Sequence, residues 1–211
     1  MIKRLTDELI FPDYSEANPD GILAYGGDLS VERLKLAYRK GIFPWYNPGE
    51  PILWWFPDPR FVLYPEELKV SKSMTKILRE NIFEITENQA FEEVISNCQK
   101  IFRPGQCGTW ITNEMKAAYL ELHRIGIAKS VEVWQNDELV GGFYGIEQKR
   151  VFCGESMFAK VSNTSKAGFI CFVRKYQKRY ELIDCQVYTP HLASLGAREI
   201  PATEFLKVLN P

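Results

Sequence analysis

Asp184 and Gln186 stand two positions apart in the apolar run LIDCQV. On a strand this spacing turns both side chains to one face and sends Cys185 to the other. A carboxylate and an amide among apolar neighbours are expensive to bury alone, so they either bond to nearby backbone or face a ligand. In the second case the acid can accept a proton from an attacking nucleophile, and the amide can hold a peptide or ester by hydrogen bonds. Glu155, in FCGESMF, poses the same choice: an outward-facing strand carboxylate, or a second acid in a shared cleft that would attract a cationic ligand. Cys185 and His191 have the residue types of a nucleophile and its base. A strand cysteine is usually a small inert hydrophobe, however, and nothing adjacent would lower its pKa.

Other candidates bind rather than react. Phe143, Phe152, Met157, Phe169, Phe172 and Ile183 are core by default, and a pocket if several converge on a void beside Asp184. Trp45, Trp54, Trp55 and Trp110 either glue Pro-rich turns together or stack a nucleobase, which is worth about 1–3 kcal/mol per base. The run RKYQKRY places Arg174, Lys175, Lys178 and Arg179 near a helix C-terminus, where cations complement the helix dipole or contact phosphates.

The elements that must carry these residues fall into two parts. Residues 1–65 are punctuated by Pro and Gly, as in FPDYSEANPDG, GIFPWYNPGEP and WWFPDPR. They predict a small N-terminal domain of turns and short elements, with one helix running from a Ser30 cap through Leu34, Ala37 and Tyr38 to Gly41. Residues 66–211 predict a larger catalytic domain of regular α/β pattern. Helices are expected over 89–98 and from Thr112 to 125, followed by three antiparallel strands in SVEVWQ, LVGGFYGIE and VFCGESMFA. An apolar helix over 164–180 then leads to a strand in ELIDCQV, expected to lie parallel to the third strand. This α/β (α+β) order with a mixed sheet is that of GCN5-related N-acetyltransferases, a fold-level analogy that does not fix function. The junction AKVSNTSKAG lacks the glycine-rich turn that would cradle a pyrophosphate, so coenzyme A is disfavoured and no cofactor is expected.

Composition narrows the classes further. With 26 basic against 27 acidic residues in 211, the chain is no bulk polycation, and binding to nucleic acid would need a local basic patch. A hydrophobic content of 45% suffices for a core. The start MIKRLTDELIFPDYSE does not read as a signal peptide, and no stretch approaches the roughly 18 apolar residues of a membrane span. A cytoplasmic monomer with no membrane partner is expected. The five cysteines form no CxxC pair and the two histidines have no ligand cluster, so neither a disulfide framework nor a metal site is expected. An acetyl-CoA-dependent N-acetyltransferase and a non-catalytic adaptor binding tRNA or protein N-termini are two readings that remain open.

The segments FPDYSEANPDGILAYGGDLS, LKLAYRKGIFPWYNPGEPILWWFPDPR, GTWIT, SVEVW, ELVGGFYGI, FCGESMF, LIDCQV and HLASLGAREIP follow one another over residues 11–205. In that order they resemble the leucyl/phenylalanyl-tRNA–protein transferase family. The resemblance implies transfer of Leu, Phe and, less readily, Met from aminoacyl-tRNA to proteins beginning with Arg or Lys, marking them for N-end-rule degradation. It implies contact with the 3′ end and acceptor stem of the tRNA, and a small N-terminal domain joined to an acetyltransferase-like one. It makes Asp184 and Gln186 the catalytic pair and sets Glu155, Trp45 and Trp110 around the reacting groups. Phe143, Phe152, Met157, Phe169 and Ile183 fall where the family lines its aminoacyl pocket. Arg174, Lys175, Lys178 and Arg179 are the candidate phosphate patch. Phe143 and Phe169 stand where slimmer aliphatic residues are expected, and Thr189 where Asn is often seen.

Overall fold

Short strands and turns build the Pro- and Gly-rich start of the chain into a four-stranded sheet of order β1-β2-β4-β3. A computed structural model describes residues 2–101 and 109–210; Cys107 and Gly108 of GTWIT lie outside the described residues. The sheet comprises β1 (Lys3–Leu5), β2 (Ile22–Gly26), β3 (Phe43–Pro44) and β4 (Leu53–Trp55), with helix α1 (Val31–Arg39) between β2 and β3. The Ser30 hydroxyl accepts from the Arg33 N–H and caps α1. Gly41, at φ +74°, takes the left-handed turn that stops it.

The rest forms a seven-stranded sheet of order β11-β5-β10-β9-β8-β7-β6. In chain order its parts are β5 (Arg60–Leu63), α2 (Lys72–Arg79), β6 (Glu84–Glu87), α3 (Phe91–Lys100), α4 (Asn113–Arg124), β7 (Ala128–Gln135) and β8 (Glu138–Gln148). Then come β9 (Val151–Ala159), α5 (Thr164–Tyr176), β10 (Leu182–Gln186), α6 (Pro190–Ala193), β11 (Arg198–Ile200) and α7 (Ala202–Leu209). The sheet is mixed: β10 pairs parallel with β9 on one side and antiparallel with β5 on the other. The three-strand meander, its flanking helices and the parallel return strand thus match the order expected from periodicity. Helix α5 stops at Tyr176 rather than 180, because the chain turns there so that Tyr180 can pack on Phe152 and Phe172 before β10 begins.

The strands change sheets between Trp55 and Arg60 rather than at residue 65, since β5 pairs with β10 and β11. The two parts also share a core. One apolar cluster joins Leu23, Leu34, Tyr38 and Trp54 of the first part to Val94, Tyr119, Tyr144 and Leu182 of the second. A second cluster lies on the opposite face of the large sheet, where α5 covers Val131, Phe143, Phe152 and Ile183. Among the described residues no helix is long and apolar enough to cross a membrane.

Candidate active site

Strands β9 and β10 run side by side for three residue pairs, Leu182–Val151, Ile183–Phe152 and Asp184–Cys153, and then part. Each strand carries an irregularity at that point. On β9, Gly145 faces Gly154 while Tyr144 faces Ser156, leaving Glu155 as the extra residue of a bulge. On β10, Asp184 faces Val62 while Gln186 faces Phe61, leaving Cys185 as the extra residue. Bulges bend a strand and re-aim its side chains, and they recur beside active sites. Gln186 sits at φ +64°, with the Val187 N–H donating to the Cys185 carbonyl at 2.8 Å. This matches the strained γ-turn, a conformation that costs on the order of 1–3 kcal/mol and needs local compensation. Part of that compensation is the Gln186 N–H donating to Asp184 Oδ1 at 2.9 Å.

The parting strands open a cavity of about 620 Å³. Phe143, Met157, Phe169 and Ile183 supply apolar wall, Trp45 and Trp110 stand at it from outside the large sheet, and Glu155, Asp184 and Gln186 supply the polar groups. The structure therefore brings together every candidate pocket residue except Phe152 and Phe172, which pack on each other away from the cavity. The Phe152 ring lies behind the wall, packed against Phe143, Phe172 and Tyr180, because Phe152 pairs with Ile183 where β9 and β10 are still closed. Trp54 is buried core with its indole N–H on the Gly26 carbonyl, and Trp55 donates to the Trp45 carbonyl and packs on its ring.

Asp184 is fully buried, and its partner is Arg60 of β5. The guanidinium donates from Nε to Oδ1 at 2.8 Å and from Nη2 to Oδ2 at 2.7 Å. Rings of Phe43, Phe56 and Phe205 surround the cation at 4.7–5.7 Å, and its Nη1 has no hydrogen-bond partner. Burial disfavours the Arg60 charge, but the Asp184 carboxylate more than offsets this and raises its pKa. The acid expected to take a proton thus has both oxygens engaged by a cation. Arg60 escapes a reading of the sequence, although a lone cation entering the run RFVLY is its signal.

Glu155 lines the same cavity in a different state. Gln186 Nε2 donates to its Oε1 at 2.8 Å, and the Tyr119 hydroxyl donates to its Oε2 at 3.0 Å. Burial raises its carboxyl to about 7, against the opposing hydrogen bonds from Tyr38, Tyr119 and Gln186. Cys185 packs on the α5 side and its thiol is pushed up by burial, while burial pushes the His191 imidazole down. Both shifts oppose a thiolate–imidazolium pair, so this arrangement does not activate a cysteine nucleophile.

The basic run is exposed but partly neutralised. Lys175 bridges to Glu87 at 2.7 Å and Arg179 pairs with Glu147, whereas Arg174 and Lys178 form no ion pair among the described residues. The chemistry that the site offers is a greasy pocket ending in an amide, a titratable acid and a fixed carboxylate. That combination suits a reaction between an apolar acyl group and a polar nucleophile.

Two family models match the chain. Residues 27–58 match the leucyl/phenylalanyl-tRNA protein transferase N-terminal domain, and residues 62–210 match the leucyl/phenylalanyl-tRNA protein transferase itself. The chain is 63% identical to the leucyl/phenylalanyl-tRNA–protein transferase of Flavobacterium johnsoniae over 207 residues, covering 98% of both chains. It is 54% identical to that of Pectobacterium carotovorum over 208 residues, covering 97% of this chain and 88% of the relative. Among solved structures, the C-terminal domain of a putative lysylphosphatidylglycerol synthetase from Agrobacterium fabrum aligns at TM-score 0.39 and 9% identity, over 86% of this chain and 62% of that one. A likeness that distant says nothing about what this chain does.

Proposed function

The chain belongs to the leucyl/phenylalanyl-tRNA–protein transferase family, and from that premise we propose that the cavity between β9 and β10 is where a charged tRNA's ester meets a protein's α-amine. The enzyme is an aminoacyltransferase. It moves Leu or Phe, and Met less readily, onto proteins beginning with Arg or Lys, and so marks them for N-end-rule degradation in the cytoplasm. The observation that supports this most is the Glu155–Gln186 contact at the end of an apolar cavity.

Ester aminolysis runs downhill, so the protein must position the two reactants and stabilise the charge that develops on the carbonyl oxygen. An α-amine has a pKa near 7.7–8.0, so roughly a tenth is neutral at pH 7 and only modest proton transfer is needed. The wall of Phe143, Met157, Phe169 and Ile183 takes the aminoacyl side chain, because it offers polar groups no partners. Gln186 touches the reacting groups, and Asp184, held by Arg60, is the other half of the catalytic pair as a positioning residue that fixes the bulge. Glu155 attracts the cationic acceptor. Trp45 and Trp110 meet the 3′ end of the tRNA, and Arg174, Lys175, Lys178 and Arg179 meet phosphates of its acceptor stem. The large sheet serves as an acetyltransferase-like scaffold, acting as a monomer without coenzyme A.

Incubating the protein with radiolabelled Leu-tRNA and an Arg-starting protein, without ATP, is expected to move label into the protein. Label that stays on the tRNA, with the acceptor bound nonetheless, favours a non-catalytic adaptor. Thermal stabilisation by micromolar coenzyme A would favour an acetyltransferase instead.

A further inference from the structure

A row of hydrogen bonds runs from the first helix to the cavity. The Tyr38 hydroxyl on α1 meets the Tyr119 hydroxyl on α4, and Tyr119 donates to Glu155. Each phenol has one proton to donate, and both hydroxyls bear on Glu155, Tyr119 through its 3.0 Å bond and Tyr38 from beside it. Burial first, and the nearby Glu155 charge second, hold both phenols protonated far above their ordinary range. Gln186 donates to the other carboxylate oxygen at 2.8 Å. Groups from α1, α4 and β10 thus converge on a single acid of β9 that faces the cavity.

Other charged or titratable groups bear on the same acid. Asp184 on β10 opposes its ionisation. Arg60 on β5 and Cys153 on β9 interact with it electrostatically, and Tyr144 of β8 packs against the Tyr119 ring. Among the described residues no lysine or arginine forms an ion pair with Glu155, whereas Asp184 is locked to one. The two acids have been given different work by their surroundings.

We propose that Glu155, held by Tyr119 and Tyr38, carries the proton of the transfer step. The proposal rests on reading the cavity as the aminoacyl-transfer site. As the neutral α-amine attacks the ester carbonyl, a C–N bond forms and an N–H proton passes to the Glu155 carboxylate. When the tetrahedral adduct collapses, the C–O bond to the ribose breaks and Glu155 returns that proton to the ribose oxygen. The products are an amide and a free hydroxyl, the carboxylate is restored, and no co-reactant is consumed. An acid whose carboxyl sits at about 7 can both take and return a proton near neutrality. Tyr119 and Tyr38 are positioning residues that stabilise its charged form.

The test is single-turnover transfer from Phe-tRNA to an Arg-starting peptide, measured against pH for the unaltered chain, Glu155→Gln and Tyr119→Phe. The unaltered rate should rise through about pH 7. Glu155→Gln should slow transfer on the order of 10²- to 10⁴-fold while still binding aminoacyl-tRNA. Tyr119→Phe removes a bond to the charged carboxylate, so its rise should move to higher pH, a displacement that a purely structural role would not produce. Transfer by Glu155→Gln at the unaltered rate, or a Tyr119→Phe profile that stays in place, overturns this role and leaves the reading of the cavity standing. No transfer by the unaltered chain overturns both. Should Glu155→Gln fail to fold, the Tyr119→Phe displacement decides.

Discussion

At the scale of single residues, the two acids of the site predict opposite behaviour. Asp184 is half of a buried ion pair, and removing one partner of such a pair leaves an uncompensated charge at a cost of about 3–5 kcal/mol. Asp184→Asn should therefore lose about that much stability in urea unfolding, as well as activity. Replacing the pair together, Arg60→Met with Asp184→Leu, should restore most of the stability but none of the transfer. A recovery of transfer would show that the pair does not position Gln186. For Glu155, the folded pKa of about 7 lies above its ordinary 4.5, so between those values the folded chain holds a proton that the unfolded chain has released. Stability from this group is present at low pH and is lost as pH rises through that window. Glu155→Gln should accordingly gain on the unaltered chain from pH 5 to pH 8, read as a growing difference in unfolding free energy. In the pocket, Phe143→Met replaces a rigid ring with a flexible chain and should shift the Phe:Leu transfer ratio, since methylene-sized differences are worth about 1–3 kcal/mol. A constant ratio would mean that this ring does not touch the aminoacyl group.

At the scale of elements, the site depends on two strands losing register together. Gly145 lies where β8 crosses the β9 bulge; a Cβ there would stand 2.3 Å from the Cys153 carbonyl oxygen and 2.6 Å from the Phe152 ring. Gly145→Ala should cost about 1–3 kcal/mol by overpacking and should slow transfer even when fully folded, by moving Glu155. Full activity in the folded variant would uncouple the bulge from the acid. Much of this architecture is legible in the sequence. Alternation in SVEVWQ and LVGGFYGIE and the helical face of Met115, Tyr119 and Leu122 give the meander and its cover, because periodicity is a local signal. The bulges are not legible, since an extra residue only breaks a pattern. Nor is Arg60, whose partner lies 124 positions away. Tyr38 and Tyr119 read as inward-facing and are, but their aromatic rings conceal that the hydroxyls meet at one carboxylate. Pro-rich turns ahead of β5 group it with the first part, whereas its hydrogen bonds go to β10.

At the scale of the whole molecule, a near-neutral chain must bind a polyanion through a local patch. Of the four proposed phosphate contacts, Lys175 and Arg179 are also paired with Glu87 and Glu147, so Arg174 and Lys178, which form no ion pair among the described residues, are the two to test first. Changing those two to Glu should weaken tRNA binding and flatten its dependence on salt, by about 0.7–0.9 in log–log slope for each phosphate no longer neutralised. An unchanged slope would place the tRNA on another face. The shared core between the small sheet and the large one lets α1 reach the cavity through Tyr38, so the first part belongs to the site rather than decorating it. The most direct measurement is the structure of the protein with adenosine joined to phenylalanine through a stable amide. Its benzyl group should lie among Phe143, Met157, Phe169 and Ile183, with its carbonyl within hydrogen-bond reach of Gln186. Density for the ligand elsewhere, with the cavity filled only by solvent, would contradict the placement of the reaction between β9 and β10.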